Sequence, residues 1–432
     1  MKAFLKQIVI RVLTWEAACL LRRHQPTVIA ITGSVGKTAT KDAVYQVLRT
    51  THKVRKSEKS FNSEVGIPLT VLGLPNAWSS LWGWVRNLAA GAFLALFSRN
   101  YPEVLVIEAG VDRPGDMQAL TKWFRPDYVI VTRLPDVPVH VEHFSSPQDV
   151  VREKMALVEA LADDGVLVYN HDDTVLQTEV QQVRQKQIGY ARYAHAPYLI
   201  QADKTTYDTQ GIPTGFSFSL QTPQDMAYTI TGQHTVGMQL AYVYAAAAVI
   251  GEQFSVPTEV ITKQLAEHLP PPGRMRLIPG IKNTLLLDDT YNSSPVAVES
   301  ALHTMNELKV KGRKIAVLGD MLELGSYSVQ QHTRIGTMAA KLTDVLFTVG
   351  VRSRATAQAA LESGLPEDSI LQYDSAERAG KELQQWLEPS DVVLVKGSQS
   401  IRLERVVEEV MQDPEQASEL LVRQNKEWLK RR

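Results

Sequence analysis

Six consecutive residues carry the strongest chemical signal in the chain: Gly33, Ser34, Val35, Gly36, Lys37 and Thr38. They follow an apolar run, VIAIT, and precede a helical pattern, KDAVYQVL. Glycines let backbone N–H groups crowd around phosphate oxygens, and a helix N-terminus adds partial positive charge. In such a loop Lys37 reaches the β- and γ-phosphates of a nucleotide and Thr38 holds magnesium. Only two residues separate the two glycines, so the loop is shorter than the common form. A bare Gly-Lys-Thr is frequent by chance; the strand before it and the helix after it make this one specific. A glycine turn with a surface lysine is the bland alternative, and it leaves that context unexplained. No Asn-Lys-x-Asp run is present, which disfavours a GTPase.

Two further residues need a reason to be where they are. Glu108 closes the apolar run VLVIE, and a carboxylate at the end of a buried strand must be paired or bound to metal. A salt-bridged strand end is the structural alternative. His140 follows another strand in HVEHF, with His143 close by.

The elements that would position these groups are short, apolar and β-rich. They read VIAIT, VLVIEAG, YVIVT and GVLVYN, then TLLLDD, KIAVLGD, VLFTVG and VVLVKGS. Helical patterns separate many of them, which predicts an α/β chain with mostly parallel sheets covered by helices on both faces. Residues 197–231, with alternating stretches such as GFSFSLQ, predict an antiparallel patch added to the first sheet. Three prolines and a glycine, Pro270 to Gly273, stop a helix and mark a boundary. The expected organisation is an amphipathic N-terminal helix over 1–26, a central nucleotide-binding domain over 27–270, a Rossmann-like α/β domain over 271–412, and a terminal helix and tail over 413–432.

In their order the motifs resemble the Mur ligase family. The matching pieces are ITGSVGKTATK, FNSEVGIPLT, VLVIEAGVDRPGDM, HVEHFSSPQDVVREK, GQHTVGMQLAYVYAAAAV, PPGRMR, LLDDTYNSSPVAVESAL, IAVLGDMLELG and VLVKGSQSIRLE. They run from Thr27 to about Met411. The resemblance implies an ATP-dependent ligase that phosphorylates a carboxylate and passes the acyl group to an amine. The branch it resembles most joins D-alanyl-D-alanine to a UDP-linked muropeptide, in the making of peptidoglycan precursors. Both reacting groups are anionic at the first step, so cations and positioning must supply the catalysis.

The resemblance also implies roles. Glu108 and His140 would bind magnesium beside Thr38, although magnesium ordinarily prefers oxygen ligands. Lys154 would carry a carbamate formed with carbon dioxide and hold a second magnesium, which requires its amine to be neutral. Read without the resemblance, Lys154 is a solvated helix lysine. Asn62 and Ser63 would touch the growing substrate, Ser63 standing where the family usually has a second asparagine. Arg274 would sit near the phosphates, Asp289 near the ribose and His234 near the nucleotide, with Tyr291, Asn292 and Pro295 completing one motif and Asp288 beside it. Lys396, Gly397 and Ser398, with Arg402 and Glu404, would lie close to the incoming amine; Glu323, Leu324 and Gly325 match a further motif. Thr235 and Met238 replace asparagines expected beside the adenine. The family's usual members carry a domain ahead of the phosphate loop that grips UDP; here about one helix precedes it, so UDP recognition is expected to differ, or the carboxylate does.

Composition bounds the rest. The 432 residues carry a formal net charge of -1 and a single cysteine, Cys19. No overall basic field argues for nucleic acid, and a disulfide framework is excluded. A monomer in the cytoplasm is expected. The N-terminal apolar stretch is interrupted by Lys6, Arg11 and Glu16, unlike a secretory signal. In residues 78–98 Arg86 leaves a charge-free part roughly half of the ~20 residues a spanning helix needs. That segment reads as a helix packed on the protein or lying on a membrane surface. Another amide ligase of the same core, acting on a lipid-linked or other non-UDP carboxylate or adding glutamate, is the main alternative. A non-catalytic nucleotide-binding scaffold is disfavoured, since it would not need Lys37, Thr38, Glu108, His140 and Lys154 together.

Overall fold

The computed structural model describes residues 2–58, 61–78, 80–425 and 428. Its strands form two sheets. The first holds β1 (Thr27–Thr32), β2 (Val54–Lys56), β3 (Val104–Glu108), β4 (Tyr128–Val131), β5 (Val166–Asn170), β6 (Lys186–Ala191), β7 (Tyr198–Tyr207), β8 (Pro213–Gln221) and β9 (Ala227–Gln233). Their spatial order is β2-β3-β1-β4-β5-β6-β7-β8-β9. Pairing is parallel as far as β7, and β7, β8 and β9 pair antiparallel. The second sheet holds β10 (Arg276–Gly280), β11 (Thr284–Asp288), β12 (Lys314–Gly319), β13 (Val345–Val349), β14 (Ile370–Tyr373) and β15 (Val392–Lys396), in the order β10-β11-β15-β12-β13-β14. Only β10 runs antiparallel to its neighbour. The α/β architecture and the antiparallel patch follow the sequence pattern; β2, β6 and β14, short or partly exposed, lack the apolar runs that reveal the others.

The period of two along a strand explains the two faces of the first sheet. Ile29, Ile31, Val104 and Val106 pack with α2 (Lys37–Leu48) and the helices Met238–Gln253 and Thr258–Ala266. Val28, Ala30, Leu105 and Ile107 face the other side, toward α1 (Lys2–His24) and α3 (Gly66–Leu72). Further along come α4 (Leu81–Phe97), α5 (Asp116–Thr121) and α6 (Pro147–Glu159). Strands buried on both faces have no polar side to show water, which is why they read as unbroken apolar runs. Ser146 caps α6 by accepting from the Asp149 N–H, with Pro147 in its first turn, a favourable start for a helix.

The chain between the Thr258–Ala266 helix and β10 contains Pro270 to Gly273, so the two sheets meet across this connector. Within the tail, the described residues include a short helix, Ala417–Leu420, and Trp428 is helical. Arg423 then takes a left-handed conformation, φ 61°, because its guanidinium is anchored on Glu404 and on the Thr290 and Tyr291 carbonyls. The basic end, Lys430 to Arg432, lies outside the described residues.

The segment at 78–98 forms α4, which packs on α1 along one face and leaves the other exposed. Asn87, Gly91 and Ala95 of α4 are buried, and Trp84, Leu88 and Leu94 pack against the core. At the crossing Gly91 is required: a Cβ there would stand 2.0 Å from Glu16 Oε2. Glu16 is buried, that oxygen has no hydrogen-bond partner, and burial pushes its carboxyl up to about 7. A group whose pKa is raised on folding stabilises fully below its unfolded value, and loses that contribution as pH rises through the folded one. Glu16→Gln should therefore melt higher than the parent above pH ~7, by at most about 3 kcal/mol of stability, with the advantage gone near pH ~4.5. Paired thermal melts across that range check it; a pH-independent difference would refute the buried-charge account.

Candidate active site

The register of the first sheet builds the site. Ile31 on β1 lies opposite Glu108 on β3, and Thr32 opposite Val131 on β4. The chain leaves β1 where its neighbours lie on opposite sides, the place where open α/β sheets bind ligands at their carboxyl ends. Gly33 has φ 131°, and a Cβ there would strike Thr132 Oγ1 at 2.1 Å. Thr132 in turn donates to the carbonyls of Thr32 and Val35 at 3.2 and 2.6 Å. Gly36, φ 88°, begins α2. The loop is thus clamped against β4, with Ser34 N–H donating to the Arg133 carbonyl at 2.7 Å.

Three polar side chains converge there. Thr38 donates its hydroxyl to Glu108 Oε2 at 2.9 Å, and Asn62 Nδ2 donates to Oε1 at 3.3 Å. Lys37 donates to the Gly33 carbonyl at 2.9 Å. Burial lowers the Lys37 pKa; Glu108 opposes that, and Arg274 adds to it. The Thr38 hydroxyl and Glu108 carboxylate form the oxygen-rich pair that magnesium takes from a protein when phosphates and water complete its shell. Among the described residues no cluster of three or more His, Cys, Asp or Glu side chains could hold a metal alone.

The second sheet turns its carboxyl ends toward the same cavity, of about 720 Å³. Asp289, just past β11, pairs with Lys396 at the end of β15, Oδ2 to Nζ 2.7 Å. Lys396 also donates to the Asn292 carbonyl at 2.9 Å. Arg274 crosses to the first sheet, donating to Thr38 Oγ1 at 3.3 Å, and its guanidinium lies 4.1 Å from the centre of the Tyr291 ring. Asp288 is wholly buried and accepts from Gly273 N–H and from the Thr290 backbone and hydroxyl. Burial pushes its carboxyl up to about 6. It fixes the turn that aims Asp289 and Tyr291.

Comparison with known proteins now decides the family. The Mur ligase middle domain matches residues 31–82 and 86–249, and the Mur ligase glutamate ligase domain matches residues 273–399. The chain belongs to the Mur ligase family. UDP-N-acetylmuramoyl-tripeptide--D-alanyl-D-alanine ligase of Bacillus subtilis is 27% identical over 400 residues, covering 92% of this chain and 79% of that protein. The Escherichia coli enzyme of the same name is 27% identical over 399 residues, covering 91% and 78%. The crystal structure of MurF ligase from Thermotoga maritima with ADP shares the fold, with a TM-score of 0.74 at 24% identity over 93% of this chain and 83% of that one. As a Mur ligase the chain is an ATP-dependent ligase, and the loop from Ser34 to Thr38 lines the cavity.

Most residues singled out from the sequence line that cavity: Asn62, Glu108, His140, Arg274, Asp289, Tyr291, Asn292 and Lys396 join the loop. Others lie outside that lining. The side chain of His234 is exposed away from it, because the residue serves through its backbone, taking Leu277 N–H and giving its own to Thr214. Ser63 is exposed, its hydroxyl accepting from Gly66 N–H at 3.4 Å at the start of α3. Ser398 is buried and accepts from Leu322 N–H at 2.9 Å, holding the loop that carries Glu323. His140 lies between two carboxylates, with Nδ1 2.9 Å from Glu323 and Nε2 3.7 Å from Asp112. That hydrogen bond holds the Glu323 carboxyl below its ordinary value.

Lys154 stands behind the lining, 1% exposed on α6. It has no ion pair among the described residues. Burial, reinforced by the charge of Lys37, lowers its pKa to about 7. Asp112, which faces both Lys154 and His140, was missed in the sequence; its signal was a carboxylate four residues beyond Glu108. Lys37→Ala should cut ATP-driven turnover by about 10²-fold or more with little change in melting temperature. Steady-state phosphate release checks this, and near-parental turnover of the folded variant would overturn the phosphate-loop assignment.

Proposed function

We propose that this ligase joins D-alanyl-D-alanine to a UDP-N-acetylmuramoyl-tripeptide, with ATP and magnesium, in making peptidoglycan precursors in the cytoplasm, as a monomer. A carboxylate oxygen of the tripeptide attacks the γ-phosphorus of ATP, and ADP leaves. The dipeptide amine then attacks the activated carbonyl carbon; phosphate leaves with the bonding electrons, and a proton is lost from nitrogen. The observation that carries the reading is the convergence of the phosphate loop and Glu108 with Arg274, Asp289 and Lys396 in one cavity. Lys37 and Arg274 offset the charge of two anions brought together, and Asn62 and Lys396 stand where the carboxylate and amine partners would be oriented. Thr38 and Glu108 would hold a magnesium ion, which neutralises phosphate charge.

A second reading keeps the chemistry but takes a lipid-linked carboxylate. It is favoured by the apolar outer face of α1 and α4, which a soluble substrate does not need. The discriminating experiment is phosphate release with each muropeptide and amine alone and together. The proposal expects release that needs both UDP-muropeptide and D-alanyl-D-alanine, with a matching amide product. Release with other carboxylates or with glutamate, and none with this pair, would sink it.

Lys154 is proposed to carry a carbamate, supported by its burial, its depressed pKa and the lack of an ion pair. The amine adds to carbon dioxide and loses a proton, so a cation becomes an anion able to hold a second magnesium. Because only the neutral amine reacts, modification should fall as pH drops through about 7. Lys154→Ala should lower turnover by about 10²-fold or more, with part of it restored by a short carboxylic acid. Full activity of the variant without additive would disprove the carbamate.

A further inference from the structure

We propose that the outer face of the packed α1–α4 pair is a docking surface for an anionic lipid bilayer. On α4, Trp82, Val85, Phe93, Leu96 and Phe97 are 56–84% exposed. With Arg86 and Ala89 they recur at helical spacing, so they form one stripe pointing away from the protein. On α1, Ile8 and Trp15 are 41% and 61% exposed. Scattered surface apolar residues need no explanation, but a contiguous patch of this kind marks an interaction site.

Charge selects the occupant. Arg11, Arg22, Arg86 and Arg99 are exposed around the patch and have no ion pair among the described residues. The only acid on either helix is Glu16, which is buried between them. The whole chain is nearly neutral, at -1, so this one-sided cationic rim is local. A second copy seated face to face would oppose its arginines to the same arginines. Anionic headgroups would neutralise them while Trp and Phe enter the interface, the combination that holds amphipathic helices on membranes.

The helices would lie on the bilayer and not cross it. No described helix is long and apolar enough to span a membrane, and α4 has 17 residues. The face is tied to the active site: Lys6 on α1 pairs with Glu64 at 2.8 Å, two residues beyond Asn62, which touches Glu108. Docking would therefore bring the substrate loop close to the membrane surface. This inference stands apart from the choice of carboxylate, since binding to vesicles is read without turnover.

The test uses the full chain with vesicles of phosphatidylcholine containing phosphatidylglycerol, and with phosphatidylcholine alone. Co-sedimentation should favour the anionic vesicles by about tenfold or more and weaken with added salt. Tryptophan fluorescence should shift to the blue, as Trp15 and Trp82 leave water. Trp82→Glu with Phe93→Glu, and separately Arg11→Glu with Arg86→Glu, should each reduce binding by about tenfold. Melting temperature and ligation of soluble substrates should stay unchanged in both, which separates lost docking from lost folding. Absence of binding to either vesicle, equal binding to both, or parental binding by the variants would overturn the proposal. So would a dimer in sedimentation equilibrium that the Trp82 and Phe93 changes dissociate.

Discussion

The register that sets Ile31 against Glu108 is the constraint on which the site rests. It brings a carboxylate to the end of one strand beside the loop that leaves the next. Thr38 then donates to that carboxylate from the first turn of α2. A slip of one residue would turn Glu108 into the apolar face and bring Ile107 out. The Cβ that Gly33 cannot carry and the Thr132 hydroxyl that fills its place fix the loop against β4. Phosphate binding is thus a consequence of strand pairing among three neighbours, with the helix dipole added.

The second sheet contributes by the same rule, through strand ends. Asp289 and Lys396 reach the cavity from β11 and β15, which are neighbours in register. Two contacts between the halves at the cavity are polar, Arg274 to Thr38 and Glu323 to His140, while Val137 and Val236 pack into the apolar core of the second sheet. Polar contacts of this sort exchange readily with water and ligand, unlike an apolar seam. The Pro270 to Gly273 connector restricts where the chain can bend. Rotation about its ends would admit substrates, and reclosure would exclude water from an acyl-phosphate.

Much of this was legible in the sequence, for identifiable reasons. Strands buried on both faces announce themselves as apolar runs, and Gly33 and Gly36 mark backbone that other residues could not adopt. The ordered motifs placed Glu108, Arg274, Asp289 and Lys396 in one cavity, although 288 positions separate Glu108 from Lys396 (396 − 108). Motifs report residue types, however, and not the direction of a side chain. His234 lay within a matching motif yet works through its backbone, and Ser398 turned inward to hold Leu322. Asp112 escaped notice because nothing local distinguishes it from a loop acid. Amphipathicity could not say which face of α4 met the protein; that depended on Gly91 fitting against Glu16 from a helix about seventy positions earlier.

Lys37 and Lys154 pose the remaining electrostatic problem. Lys154 is buried and Lys37 half-buried, and the charge of Lys37 lowers the affinity of Lys154 for a proton, since two cations in a poorly solvated region repel. They are not equivalent. Lys37 has the Gly33 carbonyl as an acceptor and Glu108 as its strongest favourable charge. Lys154 has Asp112 and Glu153 at a distance, while Glu153 spends its carboxylate on the N–H groups of Gly115, Met117 and Gln118. Burial disfavours the proton on both amines, but Glu108 opposes it at Lys37, while the charge of Lys37 adds to it at Lys154. A neutral amine at Lys154 avoids that repulsion. The carbamate proposed for Lys154 would put an anion there, and an anion would attract the Lys37 cation where an ammonium repels it.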